Sequence, residues 1–328
     1  MTNLIIKKVE IYGLWGRYDI EWNLQADVNI LSGINGSGKS TILDLIHNAF
    51  DFSKMQIYRE KKSLLYSIRA KMEERDGYRE TSLFAHVNEI KLSFSDDTII
   101  IYGNNKSNLS SKDISLQYLK FSKIKKNLIR TFDTRLKPIE AVQKLSDDRV
   151  KTELDWHIHQ LQIKYMDYQL NLSRKKEKLL KSEQEHSSYD DVAEKFQKIT
   201  FSQEKFLGII DTLFSETNKK VNRDKNQLEF LLGDKEINAY ELSSGEKQLL
   251  IILLTVLVQD NQPSLLLMDE PEISLHIDWQ ENLINYIRGL NPNVQLILAT
   301  HSPGLIMKGW GDRVFELSHL TVKDRSIS

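Results

Sequence analysis

Between Val28 and Ile46 a β-run, a glycine-rich turn and a helical run follow one another with almost nothing to spare. Val28 to Leu31 reads as a strand. Gly33-Ile34-Asn35-Gly36-Ser37-Gly38-Lys39-Ser40 satisfies GxxxxGK[ST] at every fixed position, and Ile42, Leu43, Leu45 and Ile46 recur at helical spacing. Strand, tight turn and helix in that order point to an α/β domain. The glycines let the turn close until successive backbone N–H groups aim at phosphate oxygens, at the positive end of the following helix. In such a loop Lys39 reaches the β- and γ-phosphates and the Ser40 hydroxyl faces Mg²⁺. A chance glycine-rich turn is the alternative, and the strand before it and the helix after it argue against that.

A second element is Leu265-Leu266-Leu267-Met268-Asp269-Glu270, an apolar run that ends in two carboxylates. A buried strand would carry Asp269 to a metal, while Glu270, one residue on, could polarise a water attacking the γ-phosphate. Alone, the pair is equally well a solvated strand end, and the phosphate loop tips the reading toward chemistry. A helix from about Ser274 to Gly289 and a strand from Val294 to Ala299, leading into Thr300-His301-Ser302-Pro303, complete this part.

The remaining stretches set the organisation. Leu4 to Tyr12 and Tyr18 to Leu24 read as strands, and Val87 to Phe94 with Thr98 to Tyr102 as a hairpin turning at Ser95-Asp96-Asp97. Residues 53–81 are polar, a helical or looped excursion, and Asn104 to Asp113 is a polar loop. From 145 to 220 the pattern changes: Leu154, Ile158, Leu161, Tyr165, Tyr168, Leu172 and Leu179 step by threes and fours, and Val192, Phe196, Ile199, Phe206, Ile210 and Leu213 form a second series. This is the pattern of an antiparallel helical hairpin, either packed on the core or projecting by roughly 45 Å at 1.5 Å per residue. The α/β pattern resumes near Leu228. The expected division is 1–144, the hairpin at 145–225, and 226–328.

Composition removes several classes of function. With no cysteine there is no disulfide framework, thiolate zinc site or cysteine nucleophile. The apolar run Leu249 to Val258 is about half the roughly 20 residues that span a bilayer, and the N-terminus lacks a signal-peptide layout, so a cytoplasmic chain with no membrane partner is expected. Lys and Arg number 45 against 46 Asp and Glu, which excludes a globally basic nucleic-acid binder. Local clusters remain: seven basic residues against Asp133 between Tyr118 and Lys137, and RKKEKLLK at 174–181. Each is either a phosphate-backbone contact or a solvated helix face. His157 and His159 fall on different helix faces and read as no ligand pair. Tyr12, Trp15 and Tyr18 are either packing residues or a stack for adenine.

Taken with Leu242-Ser243-Ser244-Gly245-Glu246-Lys247-Gln248, the chain resembles the ABC-type ATPases, in particular the soluble branch with SMC proteins, RecF, OLD enzymes and stand-alone anti-phage ATPases of the PARIS and Septu type. Pro271 to His276 resembles the family's D-loop, and His301 falls on its switch histidine. The motif-bearing likeness covers roughly 1–50 and 228–316. It implies an ABC-ATPase head, a phosphate-loop sheet with an antiparallel β-subdomain, carrying the inserted hairpin. It further implies ATP held by Asn35, Gly36, Ser37, Gly38, Lys39, Ser40 and Thr41, with Mg²⁺ on Ser40 and Asp269. Glu270 and His301 would be catalytic, and Ser243, Ser244, Gly245 and Glu246 would meet ATP held by a second protomer. Ser-Ser-Gly ahead of a helix is also an ordinary N-cap that Glu246 could support.

The sequence departs from the family at Ser244, which replaces the first signature glycine, and the Q-loop is unassigned, with Gln117 and Gln143 in the right interval. The absence of cysteine rules out a zinc hook at the hairpin tip. The resemblance implies an ATP-linked homodimer or higher oligomer that switches a separately encoded effector, a nuclease in anti-phage defence, because the short segment after His301 leaves no room for a Toprim domain. A DNA-binding repair ATPase in the manner of RecF, with nucleic acid as partner, is the rival. A transporter subunit is disfavoured by the insertion, and an idle scaffold by the intact Lys39, Asp269, Glu270 and His301.

Overall fold

A computed structural model describes residues 5–60, 87–96, 99–103, 125–130, 148–182 and 189–324, and the chain divides into two compact units. The first comprises residues 1–129, 263–270 and 293–328. It opens with β1 (Ile6–Leu14), β2 (Tyr18–Asn23) and β3 (Val28–Ser32), then α1 (Lys39–Glu60), β4 (Glu89–Phe94), β5 (Ile99–Gly103) and β6 (Lys125–Arg130, whose last residue falls to the second unit). Alternation of apolar and polar residues in β1 and β4 buries Val9, Ile11, Ile90 and Leu92 on one face, and the two strands pair antiparallel. The expected strands and hairpin are present within a residue or two. The excursion expected at 53–81 begins as a continuation of α1, and 61–86 lies outside the described residues, as do 104–113 and the turn residue Asp97.

The second unit holds α2 (Glu153–Ser182), α3 (Tyr189–Phe214), β7 (Lys219–Val221), β8 (Glu229–Leu232), β9 (Lys235–Asn238), α4 (Ser244–Leu257) and α5 (Ile277–Leu290). Between α4 and α5 the chain returns to the first unit for β10 (Ser264–Asp269). After α5 it completes that unit with β11 (Val294–Ala299), α6 (Pro303–Met307), β12 (Val314–Glu316), α7 (Leu317–Leu320) and β13 (Thr321–Asp324).

Among the described residues the first unit has two five-stranded sheets: β13-β2-β1-β4-β5, antiparallel, and β12-β3-β11-β10-β6, in which β12, β3, β11 and β10 run parallel. β10 and β11 are buried along nearly their whole length, which is why they read as unbroken apolar runs. Ile42, Leu45 and Ile46 of α1 share one core with Ile11, Trp22, Leu267 and Ile297. Residues 125–130 of the basic cluster are an edge strand, with Lys126 donating to the His47 carbonyl at 3.1 Å, and the rest of that cluster lies outside the described residues.

In the second unit the helical hairpin is packed along its base, through Leu172 in α2 and from Phe206 in α3. Leu154, Ile158, Leu161, Tyr165, Tyr168 and Leu172 are buried, and α2 and α3 both lie on α4. Beyond Leu172 no described residue of α2 is buried, nor is any described residue of α3 before Phe206, so the tip end of the hairpin, where RKKEKLLK sits, stands in solvent. There Lys175 pairs with Asp260 at 2.6 Å and Lys181 with Glu177 at 2.6 Å. The three-stranded antiparallel sheet β7-β8-β9, which sequence periodicity did not separate, follows α3.

Candidate functional site

The first unit gathers five of the expected site residues at the carboxyl ends of neighbouring parallel strands. Asp269 stands opposite Ala299, and Ala299 opposite Leu31, so the loops leaving β3, β10 and β11 start at one level. Lys39, the first residue of α1 and 5% exposed, donates from Nζ to the carbonyls of Gly33 at 2.9 Å and Ile34 at 3.1 Å. Its Nζ also lies 2.5 Å from His301 Nε2. An ammonium offers only donors, so Nε2 accepts in this contact. His301 Nε2 is in turn 3.8 Å from Glu270 Oε1. The Ser40 hydroxyl donates to Asp269 Oδ1 at 3.1 Å.

Backbone conformation aims these groups. Glu270 has φ 46°, a left-handed value uncommon for a non-glycine residue, while its N–H donates to the Ala299 carbonyl at 2.8 Å. The left-handed step turns its carboxylate out of the line of β10. After β11, Thr300 Oγ1 accepts from Ser302 N at 2.8 Å and Ser302 Oγ from Gly304 N at 3.1 Å, which fixes the turn that presents His301. In the glycine loop Gly38 has φ 104°, and a Cβ there would come within 2.5 Å of the Trp15 ring. The positive φ calls for glycine at 38, and a side chain there would also displace the Trp15 ring. Trp15, half-exposed, meets Tyr18 edge-on at 6.3 Å, whereas the Tyr12 hydroxyl is committed to Glu10.

The residues fit a magnesium nucleotide. Ser37 Oγ is buried without a hydrogen-bond partner among the described residues, a donor placed inside the loop. Ser40 and Asp269 bring two hard oxygen ligands together, the donor type Mg²⁺ takes. Asn35 is exposed and Thr41 half-buried on the first turn of α1. Gln117 and Gln143 lie outside the described residues.

Ser243 to Glu246 belong to the second unit, where the N-cap reading is realised. Ser243 caps α4: its hydroxyl accepts from Glu246 N at 3.4 Å, and Glu246 Oε2 accepts from Ser243 N at 2.8 Å. Glu246 is buried and also accepts from Thr217 at 2.8 Å and Lys219 at 2.9 Å. Burial alone would raise its pKa, and the bonds from Lys219, Ser243 and Thr217 outweigh that and hold it below the usual range. The next residue, Lys247, pairs with Asp155 of α2 at 2.8 Å. Asp155 also accepts from the N–H groups of Lys151 and Thr152. Here too burial pushes the carboxyl up, and Lys247, the Lys151 N–H and Thr152 leave it low. Neither pair was foreseen, because their members lie 92 and 27 residues apart in the chain. Among the described residues no cluster of His, Cys, Asp and Glu could hold a further metal, and no helix is long and apolar enough to cross a membrane.

Comparison with known proteins gives four findings. Residues 28–307 match the family model described as "AAA domain, putative AbiEii toxin, Type IV TA system". The chain is 25% identical to the Septu protein PtuA of Bacillus thuringiensis over 336 aligned positions, 92% of this chain and 73% of that one. It is 27% identical to the Retron Vc95 probable ATPase of Vibrio cholerae over 104 positions, 28% of this chain and 20% of that protein. Among solved structures, an SMC head bound to the C-winged helix domain of ScpA superposes with TM-score 0.50 at 15% identity, covering 93% of this chain and 91% of that one, a likeness of fold. These matches bear out the resemblance to ABC-like ATPases of the defence type, and the mixed α/β head with it.

Proposed function

From the premise that this chain belongs to the AbiEii-like AAA-domain family, we propose that it binds ATP with Mg²⁺, dimerises around the nucleotide and hydrolyses it as a switch for a separately encoded effector. The observation that carries the reading is the convergence of Lys39, His301 and Glu270 beside the Ser40–Asp269 pair. The glycine loop and Lys39 hold the phosphates, with Ser37 donating from inside the loop and Asn35, Gly36, Gly38 and Thr41 shaping it. Ser40 and Asp269 hold the Mg²⁺, which when bound neutralises charge on the β- and γ-phosphate oxygens. Glu270 takes a proton from the attacking water, and His301 hydrogen-bonds the γ-phosphate. Ser243 and Gly245, flanked by Ser244 and Glu246, complete the site of a second protomer. In this reading 1–144 and 226–328 form the head and 145–225 is an insertion in it. Similarity across most of its length to a Septu protein supports a defence role, and the effector proposed for it is a nuclease.

The reading is tested by light scattering and phosphate release with ATP and Mg²⁺, using Lys39→Ala as the blank, on protein purified with its native gene neighbours. ATP-dependent doubling of mass with a co-purifying second protein is the expected result. Turnover by a lone monomer, raised by duplex DNA at low salt, would hand the reading to the repair class. A further expectation concerns Trp15, whose half-exposed ring covers Gly38. If it stacks on the adenine, Trp15→Ala raises the Kd for ATP roughly tenfold, the scale of one base–aromatic stack, and leaves kcat nearly unchanged. Equal titration curves for the two proteins would reduce Trp15 to a packing residue.

A further inference from the structure

The glycine of the signature stretch has a steric reason that lies within its own chain. Gly245 is the second residue of α4 and is not among the positive-φ glycines, so backbone freedom does not call for glycine at that position. What calls for it is the segment after β10. A Cβ built on Gly245 would fall on the carbonyl oxygen of Ser274, with the carbonyl carbon at 3.4 Å and the Trp279 ring at 3.9 Å. Ser274 itself has φ 68°, left-handed without being glycine. Such a conformation costs energy and persists where its surroundings over-determine it. The surroundings here are specific: Leu275 is buried, its N–H donates to the Glu272 carbonyl at 2.9 Å, and its own carbonyl accepts from Gln280 Nε2 at 2.9 Å. On the outer side Ser243, Ser244, Ile273 and Ser274 are all exposed. All of these residues belong to the second unit.

We propose that Gly245 is a positioning residue: the side chain it lacks makes the seat for the Ser274 carbonyl, so that the signature turn and residues 271–276 form one rigid surface. This rests on the reading that Ser243 and Gly245 complete a partner's ATP site, and it adds that residues 271–276 reach that site in a position set by Gly245. A glycine that served only to approach phosphate would place no demand on Ser274.

Two measurements separate these. In the nucleotide-free protein, Gly245→Ala is expected to speed amide hydrogen exchange at 272–276 at least about tenfold, although alanine is otherwise the better helix former. Unchanged exchange there overturns the proposal, whatever the ATPase does. In turnover, Gly245→Ala is expected to lose about tenfold while ATP still binds with its normal Kd. Adding Ser274→Gly, which lets the carbonyl swing aside without left-handed strain, restores most of that loss, measured against Ser274→Gly alone. A loss that Ser274→Gly leaves untouched overturns the positioning role in favour of phosphate contact. Should Gly245→Ala fail to fold, folding of the double variant is the same rescue, and its failure the same refutation. Altered exchange in a protein that never dimerises with ATP would instead refute the dimer reading and leave the seat standing.

Discussion

Glu270→Gln is expected to bind ATP as the unaltered protein does, to turn it over at least about a hundredfold more slowly, and to accumulate as an ATP-bound dimer. The amide matches the carboxylate in shape, so Lys39, Ser40 and Asp269 keep their contacts while the group that accepts a proton is gone. Positioned general bases contribute roughly 10²- to 10⁴-fold, and the left-handed backbone at Glu270 leaves little reason for that conformation unless its carboxylate is needed off the strand line. Phosphate release under single-turnover conditions, with light scattering on the same sample, decides it. Unchanged turnover would move the base elsewhere and leave Glu270 as a partner of His301.

The second large effect is on stability. Asp155→Ala is expected to cost about 3–5 kcal/mol of unfolding free energy, because it strands the Lys247 ammonium in a nearly dry site. Replacing both partners, Asp155→Leu with Lys247→Met, should recover the part due to the stranded ammonium and not the part due to the Lys151 and Thr152 N–H groups, which lose their acceptor in both variants. Urea unfolding of the unaltered protein, Asp155→Ala and the double variant reads the difference directly; a double variant no better than Asp155→Ala would place the loss on the two N–H groups and not on the stranded ammonium. The acid dependence has a definite sign. Asp155 and Glu246 have folded pKa values below their ordinary 3.8 and 4.5. Their contribution is therefore complete above those values and is lost as pH falls through the lower folded ones. Asp155→Asn should lower stability near neutrality, where the contribution of Asp155 is complete, and flatten its dependence on pH in that acid window.

The parallel core and the catalytic end of the site were legible because each depends on local pattern. Leu265 to Met268 and Val294 to Ala299 are apolar without interruption, as strands covered on both faces must be, and the glycine loop carries its own geometry. The heptad steps of α2 also survive in the fold, as its buried face. What could not be read was whatever joins distant segments. Whether the hairpin packs or projects depends on α4, whose burial on nearly every side gives no periodicity to match. The strand at Lys125–Arg130 hides in a basic cluster because so short an edge strand carries few apolar residues, here Leu128, partly buried, and Ile129, buried. Likewise Ser274 carries no signal in sequence, since its importance lies in the oxygen of its backbone.

The common level of β3, β10 and β11 bears on how this protein can change over generations. Side chains alternate across a strand, so one residue gained or lost within Leu265 to Asp269 would exchange the places of Met268 and Asp269, and the same slip in β11 would carry the turn at His301 out of step with Glu270. These three strands are closed to insertion and deletion. The exposed last turns of α2 carry no such register, and lengthening there alters neither the sheet nor its loops. Homologues should therefore differ in length at the hairpin end and agree to the residue along the strands, with new specificities entering where the ruler is absent.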